Sequence, residues 1–146
     1  GDGLSASLGE LEDFGAVVSA DAIAIATAPE TSPRADKVDQ ARRLHAYMTN
    51  NLFALRYRHQ TQRGDAALST SYPALARRLV AVEQNLAGVD PSDPARVLQA
   101  ARGVLAGLRR ILGEGSTIYR EVLGKLDADR FLLGNLHAEG LPPPKP

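Results

Sequence analysis

Apolar residues recur along this chain at intervals of three or four, in runs bounded by caps, prolines and glycines, and that pattern leaves little besides a helical fold. Val38, Ala41, Leu44, Met48, Leu52 and Leu55 form one such stripe, and Tyr72, Leu75, Leu79, Val82 and Leu86 form a second. Val97, Ala101, Val104, Leu108 and Ile111 make a third. A fourth runs through Ile118, Val122, Leu126, Leu133 and Leu136, with Asp129 interrupting it. An interval of 3.6 residues puts each set on one side of a helix, where it must be buried against something.

Punctuation sets the boundaries. Ser32-Pro33 and Ser92-Asp93-Pro94 each place a capping side chain before a proline, whose missing N–H costs nothing in a first helical turn. Gly64, Gly88, Gly113 and Gly140 supply stops. The spacing therefore predicts helices over 33–62, 72–87, 94–112 and 116–139, joined by connections short enough to force antiparallel neighbours. The expected fold is an all-α, up-down-up-down four-helix bundle over residues 31–140. A proline-rich tail follows over 141–146, where Pro142, Pro143, Pro144 and Pro146 exclude a helix.

Residues 1–30 read less clearly. Leu4, Leu8 and Leu11 have helical spacing and Ala20–Ala28 is rich in a strong helix former, but Gly9 and Gly15 interrupt. One or two short helices packed on the bundle are expected, with an extended strap as the alternative. The chain opens on Gly1 rather than Met, which suggests a processed protein or an excerpt.

Composition narrows the function classes. With 146 residues, one domain with a substantial core is expected. The absence of cysteine removes disulfides, thiolate metal sites and cysteine nucleophiles together. No apolar run reaches the roughly 20 residues of a membrane-spanning helix. His45 and His59 lie 14 residues apart, about 21 Å along a helix, too far to share an ion. No HExxH, P-loop, dinucleotide fingerprint or nucleophile elbow occurs, so neither a cofactor nor an enzyme is expected.

Charge is unevenly spread. Residues 1–39 carry eight acids against two bases, whereas 40–112 carry eleven arginines against four acids. In the expected bundle Arg56, Arg58, Arg63, Arg77, Arg78, Arg109, Arg110, Arg120 and Lys125 gather at one pole. Arg63, Arg109 and Arg110 fall where cations offset a helix dipole. Arg56, Arg58, Arg77, Arg78, Arg120 and Lys125 are left as candidate contacts for an acidic protein, an anionic membrane surface or the chain's own acidic N-terminus. A sequence pI near 7.0 and the lack of a recognition motif argue against nucleic acid.

Two further constellations stand out. In the expected bundle Asp129 falls about one turn from His45, suggesting a buried polar pair, with a solvated Asp129 as the plainer alternative. Ala100, Gly103 and Gly107 form a small-residue strip able to admit another helix at close range, either the N-terminal segment or a second copy in a homo-oligomer. Together these features suggest a non-catalytic interaction or scaffold module in an envelope-associated or periplasmic assembly. A sensory bundle binding a small ligand through Tyr47, Tyr57, Asn50 and Asn51 is the alternative, and an anionic-membrane module comes third.

Overall fold

The computed structural model describes residues 2–62 and 71–113, with side chains from residue 6 and from residue 73 of those two stretches. These residues form four helices and, among them, no strand. Helix α1 spans Asp2–Ala26, α2 spans Arg34–Thr61, α3 spans Ser71–Glu83 and ends in a 3₁₀ turn over Gln84–Leu86, and α4 spans Pro94–Gly113. Helices α2 and α4, and α3 together with its 3₁₀ turn, lie within a residue or two of the positions set by the caps and stripes. The expected helix at 116–139 and the tail at 141–146 lie outside the described residues.

Residues 2–26 form one continuous helix instead of one or two short pieces. Gly9 and Gly15 do not break it. A methyl group added at Gly9 would meet nothing within 4 Å, and one at Gly15 would meet Leu108 at an ordinary 3.5 Å. What holds α1 is its stripe of Leu11, Phe14, Val18, Ala22 and Ile25, all buried against α2 and α4. A helix of 25 residues gains enough from packing to offset roughly 1 kcal/mol per glycine.

The other helices supply the rest of the core. Leu44, Met48 and Leu52 of α2, Leu79 of α3, and Leu98, Leu105, Leu108 and Leu112 of α4 are almost completely removed from solvent. The connection between α3 and α4 is tightly specified. Gly88 takes a φ of +72°, a left-handed conformation that β-carbon-bearing residues rarely adopt. Asp90 accepts hydrogen bonds from the Ser92 backbone N–H (2.9 Å) and hydroxyl (2.7 Å), which hold its carboxyl below the usual carboxylate range. Asp93 then caps α4 by accepting from the Arg96 N–H at 3.3 Å. At the start of α2, by contrast, Pro33 occupies the cap position and no side chain caps the helix, so Ser32 does not take the role its position suggested.

Close approach of α3 and α4 depends on the small-residue strip. Ala100 and Gly107 are buried and Gly103 half-buried. A β-carbon on Gly107 would lie 2.7 Å from Val82 Cγ2, and one on Gly103 would lie 2.7 Å from Asn85 Cγ. The helix admitted here is therefore α3.

Two glycine substitutions should consequently have opposite signs. Gly9→Ala is expected to stabilise the chain by about 0.5–1 kcal/mol, the helix-propensity difference in open space. Gly107→Val should destabilise it by about 1–3 kcal/mol, because Val82 is a stiff β-branched neighbour that cannot yield. Urea unfolding followed by circular dichroism measures both.

Candidate functional site

The arginines expected at one pole do not share one environment. Arg56 is half-buried on α2, where its Nε donates to Glu83 Oε1 of α3 at 2.7 Å and its Nη1 to Gln60 Oε1 at 3.1 Å. Arg58, one residue pair further on, turns the other way and forms an ion pair with Glu10 of α1. Two of the expected anion contacts thus join helices within the chain. Arg77 and Arg110 are exposed on α3 and α4, Arg78 is exposed, and Arg109 is half-buried. Arg63, Arg120 and Lys125 lie outside the described residues.

A second feature of α2 is absent from the charge reading. Phe53 and Tyr57 are 54% and 57% exposed, although apolar side chains of that size normally find cover. Four residues apart on a helix, they stack with ring centroids 6.2 Å apart and planes 14° from parallel. The Arg56 guanidinium carbon lies 5.1 Å from the Phe53 ring centroid, within cation–π range. Because Glu83 and Gln60 also hold Arg56, this aromatic face has a fixed shape before anything meets it. Phe53 is out of phase with the buried set of α2, and that displacement is the sequence signal that marks it.

Between α1 and α2 lies a cleft of about 470 Å³. Phe14 and Tyr47 form a stacked wall across it, with centroids 5.6 Å apart and planes 13° from parallel. Glu10, Asp13 and Arg58 stand among its lining groups, and Asn51 donates from Nδ2 to the Tyr47 carbonyl at 2.8 Å. Burial pushes the Tyr47 phenol above its ordinary value, and the carboxylates of Asp21 and Asp13 push it further. Tyr47 and Asn51, two of the four polar residues expected for a ligand-binding bundle, therefore meet here. Tyr57 and Asn50 are exposed and do not line the cleft.

The histidines separate. His59 is 1% exposed, and its imidazole is pushed below the ordinary value chiefly by burial and secondarily by the Arg58 charge. His45 is half-buried, with no hydrogen-bond partner for Nε2 among the described residues. Asp129, expected beside it, lies outside them. Among the described residues no three His, Asp or Glu side chains are grouped as a metal site, and no helix is long and apolar enough to cross a membrane.

Comparison with known proteins finds no matching family model, no matching curated relative and no matching solved structure.

The state of His59 sets a pH dependence. Its folded-state value is below the unfolded value of about 6.5, so the unfolded chain binds more protons in between. The stability it contributes is complete above pH 6.5 and is lost as pH falls through the folded-state value. His59→Leu should flatten the slope of stability against pH below 6.5, measured by urea midpoints at half-unit intervals. An unchanged slope would assign the acid sensitivity to other groups.

Proposed function

We propose that this chain is a non-catalytic interaction module that docks a protein partner on the outer face of α2, with Phe53 and Tyr57 as anchors. The exposed, mutually stacked aromatic pair is the observation that carries this reading. Solvation disfavours such a surface, while burial of two rigid rings on a partner is favourable at little entropic cost. Tyrosine and arginine are also residue types that concentrate binding energy at interfaces. Arg56 supplies a pre-positioned guanidinium beside the rings. The preferred partner is an acidic protein segment, in keeping with the surplus of arginine over residues 40–112.

The scaffold for this face is an antiparallel up-down-up-down bundle. Three pairings support that topology for α1 and α2: Glu10 with Arg58, Phe14 with Tyr47, and Asp21 with Arg43, which line one small pocket. Positions rise along α1 as they fall along α2. The neighbours of Gly103 and Gly107, Asn85 and Val82, run in the same opposed order for α3 and α4.

Replacing both Phe53 and Tyr57 by alanine should change unfolding stability by less than about 1 kcal/mol, because neither supports the core. The same change should weaken a docked partner at least tenfold, the loss of roughly 1.4 kcal/mol or more. The measurement is sedimentation velocity, with the native protein and the double variant compared alone and with proteins retained from the native extract. A dimer dispersed by the substitutions identifies the partner as a second copy. Retention of the same proteins by both forms would refute the α2 face as the docking surface.

A further inference from the structure

The α1–α2 cleft lies apart from the aromatic face of α2, and its chemistry does not depend on the docking reading. Its volume of about 470 Å³ falls in the range of small-ligand sites, roughly 300–1,000 Å³. Its wall is a pair of stacked rings, Phe14 and Tyr47, and Val17, 40% exposed, extends that wall with aliphatic surface. An apolar wall alone would accept many occupants; the charges around it choose among them.

Three ionised groups line the cleft: Glu10, Asp13 and Arg58. Arg58 is ion-paired with Glu10, so their charges largely offset each other. Asp13 is exposed and forms no ion pair among the described residues. One negative charge is therefore left beside the aromatic wall, reinforced by Asp21 from the next turns of α1. The Tyr47 phenol registers this field, since the carboxylates of Asp21 and Asp13 both add to the effect of burial on it. An anion would meet repulsion from Asp13 and would have to displace Glu10 from Arg58. A neutral ligand would leave the carboxylate unused. A cation gains from the Asp13 carboxylate.

We infer that the α1–α2 cleft binds a small organic cation, an ammonium group on an apolar body, with Asp13 facing the charge and Phe14, Tyr47 and Val17 covering the body. A primary or a quaternary ammonium serves equally, because the Asp13 field acts on charge without requiring an N–H.

The test uses benzyltrimethylammonium as the probe and benzyl alcohol as its neutral counterpart, titrated into the isotopically labelled full chain and followed by nuclear magnetic resonance. Saturable shifts are expected at the Val17 methyls, the Tyr47 ring and the Asn51 side-chain amide, with benzyl alcohol binding about tenfold more weakly. Asp13→Asn should weaken the ammonium roughly fivefold and leave benzyl alcohol unchanged, since the substitution removes charge while keeping shape. Asp13 is exposed, so the variant keeps its fold, and its circular dichroism provides the check. Raising the salt should weaken the cation alone. Equal affinity for both probes, an Asp13→Asn variant that binds the ammonium as well as the native chain, or shifts that rise without saturation would each overturn the inference. The docking proposal is read by Phe53 and Tyr57 and stands or falls separately.

Discussion

The burial of α1 against α2 and α4 is the contact on which the rest of this structure depends. Without it Leu108 loses its neighbour at Gly15, and the apolar sides of α2 and α4 that meet Leu11, Phe14, Val18 and Ile25 face water. Burial of a leucine-sized side chain contributes about 1.5–3 kcal/mol, so a stripe of five residues outweighs the cost of Gly9 and Gly15 in the same helix. The cleft exists for the same reason. One of its walls is α1, and the acid that gives it character, Asp13, precedes a core residue, Phe14, and is therefore directed away from the core.

Much of this was legible in the sequence, and for physical reasons. The stripes of α2, α3 and α4 coincide with buried residues such as Leu44, Leu79 and Val104, because a period of 3.6 admits one buried side per helix. The cap before α4 was legible because Asp93 and Pro94 act locally. Residues 2–26 were harder to read. Their continuity comes from tertiary packing, which overrides the local preference of Gly9 and Gly15, and glycine cost can be judged only when the space around the α-carbon is known.

The site was legible in its parts and not in its assembly. Arginine spacing marks Arg56 and Arg58 as neighbours on one helix, yet they point to different partners, Glu83 on α3 and Glu10 on α1. No count of charge per segment distinguishes an arginine held by an internal acid from one that faces solvent, because that depends on helix rotation. Tyr47 and Asn51 could be nominated as polar residues for a ligand, whereas the opposing wall came from α1 and needed the fold. The small-residue strip was visible as spacing; its occupant, α3, became definite only once Val82 and Asn85 were seen against it.

The meeting of Gly15 with Leu108 joins residues separated by roughly ninety positions. During synthesis at about 5–20 residues per second, α1 leaves the ribosome some 5–20 s before the helix that covers it. Of α2 and α4, the two helices that bury its apolar stripe, α2 is the one made first. The Glu10–Arg58 ion pair and the Phe14–Tyr47 stack join α1 to α2 and need no residue of α4.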